Sequence, residues 1–397
     1  MSVALAGCGD DGGGRPAEVE TSGTSSSVAG SSSSGLITTF EPTTIDPSAP
    51  SSTTDEPPLD DSGSTTTEGS GSSTAEATEG TTDGTTGDRA PSVQSTTPGD
   101  LESGVPASTS IEVEFSEPVD PATVTTNTAD KGCTGSLQVS LDGFATCVPM
   151  MGAPVTSDGQ TFAVTPAEPL PSVATVQIRV LASVTDAGGT PMDADFTTGT
   201  GFFVRYFHTI VIDGVNDFEA EELLPTSTLG HTGYVAYDDT YLYVGMDSPD
   251  LASDSDLVWM VAYLGGPMGT STGLGYNTQE PILPFNARWH LRWRADDMFG
   301  DVLEWGAGAW QDAPFTVGAA DVAWSDSFIE LRVARVDVGD PAYFDLHLCL
   351  LREEILNEAS WAAVPSTSFK DGYDPDYTQF FQFNPSGSTV PADSIPL

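Results

Sequence analysis

Val235-Ala-Tyr-Asp-Asp-Thr-Tyr-Leu-Tyr-Val-Gly-Met246, followed closely by the apolar run Leu257-Val-Trp-Met-Val-Ala-Tyr-Leu264, decides the fold. Leu242, Val244 and Met246 alternate onto one face, and Asp238-Asp239-Thr240 supplies a tight polar turn, so the stretch reads as a β-hairpin feeding a buried strand. Val322-Ala-Trp-Ser-Asp-Ser-Phe-Ile-Glu-Leu331 follows the same template of small apolar strand, aromatic, polar turn, aromatic and alternating apolars. Phe344, Leu346, Leu348 and Leu350 alternate with Asp345, His347 and Cys349 to give another half-buried strand. Arg352 to Asn357 suggests a short helix, and Phe380 to Phe383 a closing strand.

Upstream, Ile111, Val113 and Phe115 alternate with Glu112 and Glu114, and runs at Phe162-Ala-Val-Thr165 and Thr175-Val-Gln-Ile-Arg-Val180 follow, each bounded by turn residues. The expected fold is all-β, with two β-sandwich domains at residues 91–204 and 205–397. From Asp10 to about Arg89 the chain is Ser, Thr, Gly, Pro, Asp and Glu with scarcely a large apolar side chain. Burial there cannot offset the entropy of ordering, so residues 9–90 read as a disordered acidic linker or stalk.

Twelve Lys and Arg against 58 Asp and Glu give a formal net charge of −46, which repels a phosphate backbone and argues against nucleic acid as a partner. No stretch is long and apolar enough to span a bilayer as a helix. The first residues end in Leu5-Ala6-Gly7-Cys8, which resembles the lipobox of bacterial lipoproteins, although the basic and most of the apolar part of a signal peptide are missing. That resemblance implies a truncated signal segment at residues 1–8, a lipid anchor on Cys8 and a membrane association through that anchor alone. Gly9 after the cysteine resembles outer-membrane sorting. The expected location is therefore extracytoplasmic, at the outer membrane or cell surface. In an exported chain, the spacing of Cys133 and Cys147 suits a local disulfide, and two free thiols or half of a metal site are the alternatives.

Ile111-Glu-Val-Glu-Phe115-Ser-Glu-Pro-Val-Asp120, Val164-Thr-Pro166 and Val184-Thr-Asp186-Ala-Gly188 resemble the bacterial Ig-like domain of S-layer type over about residues 91–204. This resemblance implies a surface spacer. Ile212-Asp213-Gly214 with Asp217-Phe218, the hairpin at Tyr234 to Met246 and the late strand Ser327 to Arg335 resemble the CBM9-like or DOMON-like β-sandwich. That implies a ligand-binding module, with an extracellular glycan or an envelope component as partner. A purely structural or adhesive envelope protein is the alternative, and a haem-binding redox module a third.

Arg288-Trp-His-Leu-Arg-Trp-Arg294 places three of the twelve basic residues in seven positions. On a strand, Arg288, His290, Arg292 and Arg294 face one way and Trp289, Leu291 and Trp293 the other. Arg288, Arg292 and Arg294 are candidates for sugar hydroxyls or carboxylates, with Trp305 or Trp310 for stacking. The surplus of acid favours instead their pairing with neighbouring carboxylates. Asp250, Asp254 and Asp256 could supply oxygen ligands to calcium, with Asp371, Asp374 and Asp376 a second cluster, but neither has the EF-hand pattern and a solvated acidic loop is the plainer reading. Met246, Met260, His231 and His290 are the residues available for haem. No Gly-x-Ser-x-Gly elbow, His-Glu-x-x-His pattern or phosphate-binding Gly loop appears; Glu280, Glu304 and Glu330 have no known proximity, and His347 with Cys349 lacks a third partner. No enzyme is expected.

Overall fold

The computed structural model describes residues 89–274, 280–296, 299–353, 358–368 and 376–397. The expected lipid anchor at Cys8, nearly all of the stalk, residues 354–357 of the short helix expected from Arg352 to Asn357, and the carboxylates Asp371 and Asp374 lie outside the described residues.

The first sandwich contains β1 (Val93–Thr97), β2 (Ile111–Phe115), β3 (Leu137–Ser140), β4 (Thr161–Val164), β5 (Thr175–Val180), β6 (Phe196–Thr197) and β7 (Phe202–Phe203). One sheet has the order β1-β2-β4 and the other β3-β5-β6, with β7 also paired to β5. Alternation does the work predicted for it. Ile111, Val113 and Phe115 from one sheet and Val176, Ile178 and Val180 from the other are all buried in a single core, while Glu112 and Gln177 lie outside it. The chain from Cys133 to Cys147, which carries β3, is closed by a disulfide with Cα atoms 4.9 Å apart.

The second sandwich contains β8 (Leu223–Pro225), β9 (Thr232–Tyr237), β10 (Tyr241–Asp247), α1 (Pro249–Ser253), β11 (Val258–Thr272), β12 (Ile282–Arg294), β13 (Gly300–Gly306), β14 (Ala309–Asp312), β15 (Val322–Ser325), β16 (Phe328–Ala334), β17 (Phe344–Arg352), β18 (Ala359–Val364) and β19 (Phe381–Phe383). A five-stranded sheet runs β15-β16-β10-β9-β8, and a seven-stranded sheet runs β14-β13-β12-β11-β17-β18 with β19 on β17.

The two hairpins with a common template meet in the first of these sheets through antiparallel pairing of β10 with β16. One cross-strand row reads Val235, Val244, Leu331, Val322, and the flanking pairs Leu242 with Val333 and Met246 with Ile329 exchange under the same two-fold relation. Leu242, Val244, Met246, Ile329, Leu331 and Val333 all enter the main core, so the repeat in the sequence becomes a local pseudo-symmetry of the sheet. Facing them are Met260, Ala262 and Leu264 of β11, Trp289, Leu291 and Trp293 of β12, and Leu346, Leu348 and Leu350 of β17.

The seven-stranded sheet departs from the sequence reading on its other face. A half-buried strand was expected at 344–350, yet His347 and Cys349 are fully enclosed. Trp259, Val261, Tyr263, Leu283, Phe285, Cys349, Leu351 and Tyr377 form a second cluster on that face, with Trp310 and Phe380 packed against it. Periodicity within one strand could not reveal this cover, because Leu283, Phe285, Tyr377 and Phe380 come from distant parts of the chain.

Candidate functional site

The sequence points to β12 and its neighbours, and the structure resolves each candidate there. Trp289, Leu291 and Trp293 face the main core as their alternation requires. The opposite side of the strand is not a stripe of solvent-facing cations. His290 is fully buried, stacked on Tyr263 with ring centroids 4.5 Å apart and 5.7 Å from Trp310. Among the described residues neither of its ring nitrogens has a hydrogen-bond partner. Burial, together with the nearby Arg292 charge, holds this imidazole well below its ordinary range, so it is neutral.

Each arginine is matched with acid. Arg288 pairs with Glu304, and Arg292 makes two bonds to Asp301 (Nε to Oδ1 2.7 Å, Nη2 to Oδ2 3.0 Å), its cross-strand partner. Arg294 donates to Asp296 at 2.9 Å and lies 4.0 Å from Glu353. A guanidinium already held by two carboxylate oxygens has little left for a ligand, and removing its partner rather than adding a sugar is what would free it. The Arg294–Asp296 pair is exposed, and a pair of that kind stabilises by about 0–1 kcal/mol, whereas the Arg288 and Arg292 pairs are half-buried.

Trp305 and Trp310 do come together. They are directly opposite on β13 and β14, edge to face with centroids 5.7 Å apart and both half-buried. Trp310 is fixed by donating Nε1–H to the carbonyl of Thr272 at 3.1 Å. The hairpin between them turns at Ala307 and Gly308, so this aromatic pair sits at an exposed sheet edge.

The expected calcium ligands diverge. Pro249–Ser253 forms a short helix where an acidic loop was expected, with Ser248 capping the amide of Asp250. Asp250 contacts His231 Nε2 at 3.0 Å, Asp254 accepts from Arg352 at 3.0 Å, and Asp256 is exposed. Among the described residues no group of three or more His, Cys, Asp or Glu could hold a metal ion. Met246 and Met260 belong to the main core, His290 lies on the opposite face of its sheet and His231 is engaged with Asp250, so the haem candidates do not converge on one axis.

The remaining nucleophile and carboxylate candidates have structural roles. His347 Nε2 lies 3.0 Å from Ser368 Oγ, and burial lowers its imidazole to about 3. Cys349 contacts the Tyr377 hydroxyl at 3.5 Å, and burial pushes its thiol up to about 12, which removes the thiolate a nucleophile needs. Glu304 is committed to Arg288 in the seven-stranded sheet, whereas Glu330 lies in the five-stranded sheet.

Glu330 explains a motif that the sequence left without a mechanism. Its fully buried carboxylate accepts the backbone N–H groups of Asp213 and Gly214, each at 2.7 Å. Gly214 has φ +83°, and a Cβ there would approach Ser325 Cβ to 3.0 Å. The Ile212-Asp213-Gly214 opening is thus a backbone turn that docks on the later hairpin. Burial raises the Glu330 carboxyl above its ordinary range, against the pull of the two amides.

No curated protein sequence matches the chain. Among solved structures, the N-terminal part of the bacterial S-layer protein SbsC is similar at 15% identity and a TM-score of 0.22, covering 56% of this chain and 42% of that one. The S-layer protein rSbsC(31-844) gives 14% identity and a TM-score of 0.21 over 66% of this chain and 39% of that one. The chain therefore spans about two-fifths of the length of these structures. Residues 87–202, which contain every strand of the first sandwich but the last residue of β7, match the family model of the bacterial Ig-like domain.

Proposed function

We propose that this chain is a non-catalytic extracytoplasmic protein of structural or adhesive type, in which the Ig-like sandwich is a spacer and the second sandwich is the module it presents. The observation that carries this reading is the Ig-like match together with the Cys133–Cys147 disulfide inside the same domain, because such bonds persist in oxidising compartments. The engagement of Cys349, His347, Glu304 and Glu330 in packing or caps supports the non-catalytic part. Fractionation of the source cells with thiol trapping tests it. The chain is expected in the envelope fraction with Cys133 and Cys147 oxidised; recovery from the cytosol with both reduced contradicts it.

Anchoring at the outer membrane or cell surface through Cys8 rests on the Leu5-Ala6-Gly7-Cys8 sequence. Incorporation of labelled palmitate that disappears in Cys8→Ser is the expected result, and label retained in that variant rejects the anchor.

A second reading, saccharide binding by the CBM9-like or DOMON-like sandwich, is favoured by one observation: the half-buried Trp305–Trp310 pair at a sheet edge. Stacking of a sugar face on such indoles is its physical basis. A glycan array with the full chain is expected to give signals that Trp305→Ala and Trp310→Ala both abolish. Signals unchanged in both variants place binding elsewhere.

A further inference from the structure

Successive residues of the segment between the two sandwiches enter different cores. Val204 belongs to the first core, Tyr206 to the second, and Phe207 packs against the first again. The backbone is divided in the same way. Phe203 N–H donates to Glu102 O (2.7 Å), Val204 to Ala174 O (2.9 Å), Arg205 to Val105 O (2.9 Å) and Phe207 to Ser172 Oγ (2.9 Å), all in the first sandwich. Tyr206 N–H donates to Gly387 O (2.8 Å) and His208 to Tyr237 O (3.0 Å), both in the second. Side chains add to this: Tyr206 Oη and His208 Nδ1 both contact the buried carboxylate of Glu222, and Arg205 pairs with Asp239.

The chain returns to the same place at its C-terminal end. Gly104 of the first sandwich donates its N–H to Ser388 Oγ at 3.0 Å. Gly104 has φ +73°, and a Cβ on it would run into the carbonyl oxygen of Ser386, so the two backbones meet where only a glycine fits. The returning segment is itself fixed. Ser386 N–H donates to Asn384 Oδ1 (3.0 Å), Gly387 N–H to Asn384 O (2.9 Å), and the Tyr237 hydroxyl reaches the carbonyls of Asn384 and Thr389, each at 3.4 Å.

We propose that residues 384–389 are a strap that locks the two sandwiches into one rigid body, so that the orientation of the second domain on the first is set within the chain and not by a ligand. A hinge needs a few residues whose φ and ψ can change at low cost. Every residue from Phe203 to His208 instead uses its amide N–H on one domain or the other, and bending would expose the buried Tyr206 and leave those groups unpaired.

Double electron–electron resonance on the full chain tests the strap. Spin labels go on exposed positions of the two domains, Ser157→Cys and Ala320→Cys, in a Cys8→Ser background. Cys133 and Cys147 are disulfide-bonded and Cys349 is buried, so the labels remain where they are placed. A single narrow distance distribution is expected. Gly104→Val, which forces a side chain into the Ser386 carbonyl, is expected to broaden or split it while the near-ultraviolet circular dichroism of both cores is retained. Ser388→Ala removes only the hydroxyl that bridges the domains, and serves if the valine variant does not fold; its expected effect is a smaller broadening. A broad distribution in the parent chain, or an unchanged width in the folded variants, overturns the proposal.

Discussion

Among the described residues, neither nitrogen of His290 finds a hydrogen bond, and the ring is fully enclosed between Tyr263 and Trp310. Leaving buried polar atoms unpaired costs about 1–3 kcal/mol, so His290→Phe or His290→Leu is expected to raise the thermal midpoint, read by calorimetry, where most core substitutions lower it. Its protonation behaviour makes a second prediction. The imidazoles of His290 and His347 are held below their unfolded range, so below about pH 6.5 the unfolded chain takes up protons that the folded chain refuses. Stability therefore falls as pH drops from 7 to 5, by about 2 kcal/mol for His347 and in the same direction for His290. Urea titrations at the two pH values check this, and the loss should shrink in His290→Leu. Glu330 acts in the other direction. Burial disfavours its charge, and one oxygen, Oε1, accepts both the Asp213 and Gly214 amides, a role an amide oxygen can fill, so Glu330→Gln should match or exceed the parent in stability at pH 7. Glu330→Leu, which strands both amides, should cost about 1–3 kcal/mol.

At the scale of elements, the hairpin turn between β9 and β10 is organised by one side chain. Asp238 Oδ1 accepts from the amides of Thr240 and Tyr241, and Oδ2 from the hydroxyls of Thr209 and Tyr243. Burial pushes this carboxyl up, but the four donors more than offset it and hold it below the ordinary carboxylate range. Asp238→Ala is expected to destabilise by about 2–3 kcal/mol at pH 7, an effect that fades as acid protonates the parent. Within the first sandwich, removing the Cys133–Cys147 bond with a paired serine variant should cost about 3 kcal/mol by denaturant titration, the entropy of a loop of that size. The alternating stretches at 111–115 and 175–180 were legible as strands because a single face of each meets a core, so one dimension of sequence carries the pattern; in 235–246 the face of Leu242, Val244 and Met246 was legible, while the burial of Ala236 and Tyr243 beneath Ile210 on the other face was not. β17 was legible only on its leucine face. Enclosure of its His347 and Cys349 depends on Tyr377, which no local period connects to them. The acidic run after Met246 shows a related limit: counting carboxylates says nothing about where they point, and a Ser248 cap with Pro249 sets Asp250 in a short helix while Asp254 turns to Arg352.

For the whole molecule, the charge of −46 is an average that hides local balance, since Arg288, Arg292, Arg294, Arg332 and Arg352 each pair with acid inside the second sandwich. The unusual Arg-rich strand could be found in the sequence, but its neutralisation required the register of β12 with β13, which sets Asp301 opposite Arg292. The aromatic pair at Trp305 and Trp310 was recognisable as two residues and became a unit only through the β13–β14 pairing. Two β-sandwiches, one matching the bacterial Ig-like domain and closed by a disulfide, lead to the reading of an extracytoplasmic structural or adhesive protein. Labelling of intact source cells with an antibody raised against residues 89–397 addresses that claim most directly. Signal on unbroken cells that is lost after brief external protease treatment is expected; signal found only with the released cytosol would contradict an extracytoplasmic location.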